Sequence, residues 1–174
     1  METYTTCYTW MESPVGRLLL AADEGGLIET AFAEGRTTPV VQPAWTCGGA
    51  SLSEPVRQLE AFFAGELRDF DLRLKPRGTA FQQRVWELLC DIPFGETISY
   101  GELARRAGNP AASRAVGLAN GSNPIAIVIP CHRVIGSNGK LTGYGGGLPN
   151  KRWLIDFERS QLFGQHPRSP VFIL

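Results

Sequence analysis

Two short stretches with helical periodicity, Tyr100–Ala107 and Ala111–Ala119, are separated only by Gly108-Asn109-Pro110. Glycine ends a helix readily and proline cannot continue one. Ser99 stands where it can cap the first helix. Neither stretch is long enough to be helical alone, so both must pack against something. The pair suggests a helix-turn-helix, although any αα-hairpin with such a turn reads the same way. The second stretch, AASRAVGLAN, consists of small residues with Arg114 as its one long side chain. A helix so thin approaches another surface closely. That surface is either a core helix or a nucleic-acid backbone, and the lone arginine favours DNA.

Charge points the same way. The chain is neutral, with 17 basic and 17 acidic residues. Between Tyr100 and Arg152, however, Arg105, Arg106, Arg114, Arg133, Lys140, Lys151 and Arg152 meet a single acid, Glu102. A basic C-terminal half can meet phosphates. Hydrophobic residues make up 43% of 174, enough for a packed core in one domain or two small ones. No apolar run approaches the ~20 residues of a membrane span. The start, METYTTCYTW, lacks the basic-then-apolar pattern of a secretory leader. Cys7, Cys47, Cys90 and Cys131 are scattered, with no Cys-x-x-Cys, and the histidines are His132 and His166 alone. This usage predicts a reducing cytoplasm, no disulfides and no metal.

Gly16–Ala22 and Leu27–Phe32 read as strands of a hairpin joined by Asp23-Glu24-Gly25-Gly26. Gly35–Ala50 reads as a loop. Ser53 can cap a helix with Pro55 in its first turn, an apolar face of Val56, Leu59, Phe62 and Phe63, and Gly65 past its end. Phe70–Leu74 alternates like a strand, and Lys75-Pro76-Arg77-Gly78 is the best linker. Phe81, Val85, Leu88, Leu89 and Ile92 then mark an amphipathic helix ended by Pro93.

Ile125–Ile129 lies between Pro124 and Pro130 and fits a short buried strand. It runs into Pro130-Cys131-His132-Arg133. A thiol becomes a nucleophile as thiolate, which a histidine, a positive charge or backbone N–H groups of a helical turn favour. Pro130 is placed to open such a turn, and Arg133 adds charge. His132 can serve the thiol through a turn or a bridging water, since a strand would separate them. Lys151–Arg159 reads as a helix with Trp153, Leu154 and Phe157 inward, which puts Glu158 within reach of the second imidazole nitrogen. Gly143-Tyr144-Gly145-Gly146-Gly147 suits a loop passing close to a ligand, with Tyr144 stacking on a planar base.

The segments SYGELA, NPAASRAVG, NGSNP, IPCHRVIGSNG, GYGGG and WLIDFE, in that order, resemble the O6-alkylguanine-DNA alkyltransferase family. The resemblance covers most of the chain. It implies an α+β fold. Residues 1–77 would form a ribonuclease-H-like sheet domain, residues 78–160 a winged-helix-like domain with a helix-turn-helix, and residues 161–174 a tail. It implies repair of double-stranded DNA containing O6-alkylguanine (and O4-alkylthymine) by a monomer that needs no cofactor. Cys131 would accept the alkyl group once, irreversibly, from a flipped nucleotide. His132 would be the base acting through water, Glu158 its carboxylate partner, and Asn123 the brace of the cysteine turn. Arg114 would fill the gap in the duplex, and Tyr100 would donate to guanine N3 and crowd the phosphate. DNA contacts would also come from Ala112, Ser113, Gly117 and Arg133, in the minor groove. Tyr144, Gly145, Val134 and Asn120 would form the base pocket.

The chain departs from many relatives in having Gly145 instead of serine, and from some in having Ala126 instead of proline. Both changes predict a roomier pocket. Two other readings compete. An alkyltransferase-like protein binds lesions without repair, but such relatives replace the nucleophile, often by tryptophan. A Cys-His-Glu hydrolase would turn over.

Overall fold

The computed structural model describes residues 4–164 of the chain. Its first half is built on a four-stranded sheet: β1 (Cys7–Met11), β2 (Leu18–Asp23), β3 (Gly26–Phe32) and the two-residue β4 (Thr46–Cys47), in the order β3-β2-β1-β4. The β2–β3 hairpin forms as expected. Its turn is closed by Asp23, whose carboxylate accepts from the Gly25 N–H at 2.7 Å and meets the Lys75 ammonium at 2.7 Å. β2 is antiparallel to both neighbours and wholly buried, so its apolar residues fill both faces. β1 had no counterpart in the sequence reading.

Helix α1 (Ser53–Phe63) packs Leu59 and Phe62 into the core. Ser53 is its first residue and not its cap. A 3₁₀ turn over Ala50–Leu52 leads in, and no side chain caps the start. Phe70–Leu74 is not a strand; only Leu74 bridges to Leu27. The physical reason is Gln58. Its amide donates to the Asp71 carbonyl and accepts from the Asp71 N–H, both at 2.9 Å, and so takes the place of a sheet partner.

The second half is mainly helical. α2 (Ala80–Cys90) starts from a complete capping box between Thr79 and Gln82. Trp86 on α2 donates its indole N–H to the Ala119 carbonyl at 2.8 Å. β5 (Ile98–Ser99) leads into α3 (Tyr100–Arg106), capped by Ser99 as expected. A 3₁₀ turn over Pro110–Ala112 then starts α4 (Ser113–Gly121). β6 (Val134–Ile135) pairs parallel with β5. α5 (Leu148–Leu162) runs two residues into the expected tail; positions 165–174 lie outside the described residues, as does His166. Phe62 of α1 touches Phe94 and Phe157, and Phe63 touches Trp153, so the halves share one core.

Ile125–Ile129 is buried throughout but is not a strand. Thr30 of β3 donates to the Pro124 carbonyl and accepts from the Ala126 N–H, and there the pairing stops. Ile127 has φ 73°, a rare conformation for a β-branched residue, and the chain reverses. Asn123 holds this reversal at both ends. Its oxygen accepts from the Ile125 N–H at 2.9 Å and its amide donates to the Ile129 carbonyl at 2.8 Å. The apolar run is thus a folded loop that delivers Cys131.

Candidate active site

Cys131 opens a single 3₁₀ turn, Cys131–Arg133, directly after Pro130. Burial pushes its thiol pKa up, against hydrogen bonding by Asn123, the charge of Lys151 and the N–H groups of Cys131 and His132. The expected turn is present, but desolvation outweighs it. Burial therefore favours the neutral thiol over the thiolate.

His132 is fully buried, and its Nε2 lies 2.6 Å from a Glu158 carboxylate oxygen. Burial pushes the imidazole pKa down despite Glu158, which favours the neutral ring. A neutral ring donating through Nε2 leaves Nδ1 as an acceptor. Nδ1 is buried and has no protein partner. Burial would raise the Glu158 pKa, but His132 and Arg133 outweigh it and hold it at about 2. Arg133 grips this carboxylate twice, Nε to one oxygen at 2.9 Å and Nη2 to the other at 3.0 Å, and donates Nη1 to the Ile92 carbonyl at 2.6 Å. Arg133 was expected to contact DNA. It is buried, with all three nitrogens engaged inside the fold, and presents nothing to a partner.

Two cavities meet at the site. An outer groove of about 790 Å³ is lined by Tyr100, Ser113, Arg114, Gly117, Tyr144 and Gly145, with Arg36 across from them. An inner chamber of about 360 Å³ is lined by Cys131, Asn120, Asn123, Ala126 and residues of β3. Thr37, Gly121, Gly143, Tyr144 and Gly145 line both, so the groove adjoins the chamber. Tyr144 is held against Phe32, with ring centroids 5.5 Å apart at 68°. Val134 lines neither cavity; it is buried in β6, where its pairing with Ile98 holds it. Ala112 is half-buried at the end of the turn before α4, next to the groove residue Ser113.

Family models match both halves. Residues 6–76 match the ribonuclease-like domain of 6-O-methylguanine DNA methyltransferase, and residues 80–160 match its DNA binding domain. The chain belongs to the 6-O-methylguanine DNA methyltransferase family. A methylated-DNA–protein-cysteine methyltransferase of Methanosarcina acetivorans is 55% identical over 88% of this chain and 98% of the relative. One of Mycobacterium tuberculosis is 53% identical over 88% of this chain and 93% of its own. A crystal structure of Mycobacterium tuberculosis OGT in complex with DNA matches with TM-score 0.84 and 53% identity, covering 89% of this chain and 94% of that one.

Within this family frame, two contributors escaped the sequence reading. Lys151 has a fully buried side chain whose ammonium donates to the Thr142 carbonyl at 3.0 Å and sits 5.8 Å from the Tyr100 ring centroid. Burial lowers its pKa to about 8, although Cys131 pulls it the other way. A lysine at the start of an amphipathic helix reads as solvated surface, so spacing gave no signal. Arg36 and Thr37 come from the loop after β3, anchored by the Arg36 N–H on the Gly145 carbonyl at 2.8 Å. Nothing local to that loop marks it as a pocket wall. Among the described residues no group of three or more His, Cys, Asp or Glu could hold a metal ion, and no helix is long and apolar enough to cross a membrane.

Proposed function

We propose that this chain repairs DNA directly, moving the alkyl group from O6 of guanine to the sulfur of Cys131, once per molecule. The observation that carries this is the juxtaposition of the two cavities: a groove bearing Tyr100 and Arg114 adjoins the chamber lined by Cys131, the two sharing five lining residues. An alkyl group on O6 is inaccessible in stacked DNA, so the nucleotide must leave the stack, at a cost of a few kcal/mol. Arg114, exposed on α4, fills the vacated space, while the small residues around it let α4 lie in the minor groove of double-stranded DNA. The partner is double-stranded DNA containing O6-alkylguanine, met by the protein as a monomer.

The chemistry starts from a thiol. Its proton passes through a water to the free Nδ1 of His132, whose Nε2–H is held by ionised Glu158. Arg133 keeps that carboxylate ionised and oriented. The sulfur electron pair forms the S–C bond as the C–O6 bond breaks, and the bonding pair leaves on guanine. The Tyr100 hydroxyl donates a hydrogen bond to N3 and so eases departure of the guanine, which takes up one proton from solvent as His132 gives one back. The Lys151 cation favours the thiolate as it forms. Asn123 fixes the loop that aims the sulfur. The thioether is not hydrolysed, so no turnover follows.

The test is intact-mass analysis after incubation with duplex DNA carrying O6-methylguanine. One methyl on the Cys131 peptide, at most one per molecule, is the expected result. Binding without any mass change would instead identify a lesion-binding protein, and continued turnover a hydrolase.

A further inference from the structure

The chamber lined by Cys131 is also walled by β3 and the loop after it. Glu29, Thr30, Ala31 and Phe32 line that wall, with Pro39 beside them. A flipped guanine with its methyl group fills only part of a chamber of about 360 Å³, so room is left in repair of the smallest adduct. Ala126 also faces it, adding room where a larger residue would close it. The remaining lining is neutral, made of apolar side chains, amides, hydroxyls and backbone, save for one carboxylate. Glu29 is half-buried, and its carboxylate makes no hydrogen bond or ion pair with any described residue. Burial alone pushes its pKa upward, with no neighbouring charge contributing. The nearby Arg36 guanidinium belongs to the outer groove. A partly desolvated carboxylate without a partner is costly, and a cationic group brought beside it relieves that cost.

We propose that the chamber receives the distal end of long O6-alkyl adducts, and that Glu29 makes it selective for adducts ending in a cation over adducts ending in a carboxylate. This rests on the alkyl-transfer reading above and extends it to substrate class. The methylene chain of such an adduct would run from the reacting carbon at Cys131 along Ala126, Ala31 and Phe32. A terminal ammonium would meet Glu29 in a site partly shielded from water, where opposite charges attract and like charges repel more strongly than in bulk solvent. Discrimination of roughly tenfold or more is expected from such a juxtaposition.

Single-turnover transfer rates to Cys131 would be measured on duplexes carrying O6-aminobutyl-, O6-hydroxybutyl- and O6-carboxypropylguanine. Each would be divided by the rate of the same protein on O6-methylguanine. The expected order is amino, then hydroxy, then carboxy. Glu29→Gln should collapse the amino-to-carboxy ratio, and Glu29→Lys should invert it. The control matters because DNA phosphates also attract an ammonium, but they do so equally in all variants. Equal relative rates in the parent protein, or an order untouched by Glu29→Gln, would overturn the selectivity while leaving methyl transfer standing. Absence of transfer from O6-methylguanine itself would overturn both readings.

Discussion

At the scale of single residues, the site depends on how buried charges are balanced. Glu158 is held by His132, Arg133 and the Gly95 N–H, and its pKa falls from the ordinary 4.5 to about 2. A carboxyl depressed on folding stabilises the protein above its unfolded value, and that stabilisation is lost as pH falls through the folded one. The parent protein should therefore lose stability between about pH 4.5 and 2. Glu158→Gln should lack that step and be destabilised at neutral pH by about 3–5 kcal/mol, because Arg133 is left buried without its anion. Denaturant melts across pH would check both. Lys151 acts on the sulfur by charge alone. Lys151→Met keeps the volume and removes a buried cation, so the fold should persist. The thiol pKa should rise, and transfer at pH 7 should slow about tenfold for each unit of that rise. A rate–pH profile shifted to higher pH is the expected signature; an unshifted profile would show that Lys151 only holds Thr142. The turn at Cys131 was legible because Pro130-Cys131-His132-Arg133 is a local signal, and a 3₁₀ turn forms over Cys131–Arg133. Arg133 was misread because a charged residue in a basic segment gives no sign that its partner, Glu158, is buried 25 positions away.

Elements show the same division between local and long-range information. Caps and breakers are local, so Ser99 before α3 and Gly108-Asn109-Pro110 before α4 were readable. Alternation and apolar runs are ambiguous, because a strand exists only if another edge pairs with it. Phe70–Leu74 found Gln58 in place of an edge, and Ile125–Ile129 found only Thr30. β1 went unread because its sequence, CYTWM, is too short to announce a period. The glycine loop shows what pattern alone leaves out. A Cβ on Gly146 would lie 2.7 Å from the Phe32 ring, whereas one on Gly145 would meet nothing within 4 Å. The glycines were expected to accommodate a ligand, yet Gly146 is needed to seat the loop against β3. Gly146→Ala should cost about 1–3 kcal/mol by forcing the loop off Phe32. Gly145→Ser should stay within about 0.5 kcal/mol of the parent. Chemical denaturation of the two variants side by side tests the contrast, and equal losses would refute it.

For the whole molecule, the basic half visible in the sequence is weaker as a DNA surface than its residue count suggests. Of seven cations between Tyr100 and Arg152, Arg133 and Lys151 are buried. Arg105 and Arg106 both engage Glu102. Arg114, Lys140 and Arg152 remain exposed without ion pairs among the described residues, and Arg36 joins them at the groove from the other half. Each phosphate neutralised on duplex DNA contributes about −0.9 to the slope of log K against log salt. Three or four such contacts predict a slope of about −3 to −4, whereas seven would give about −6. The shallow slope predicted also fits the proposed role of α4, in which a helix of small residues would hold DNA by close approach and by duplex distortion around Arg114. Titration of a fluorescent duplex from low to high salt would measure the slope. Arg114→Ala should reduce its magnitude by about one and slow repair in duplex DNA more than reaction with the free modified base. A parental slope near −6, or duplex repair by Arg114→Ala at the parental rate, would mean that DNA approaches by another face.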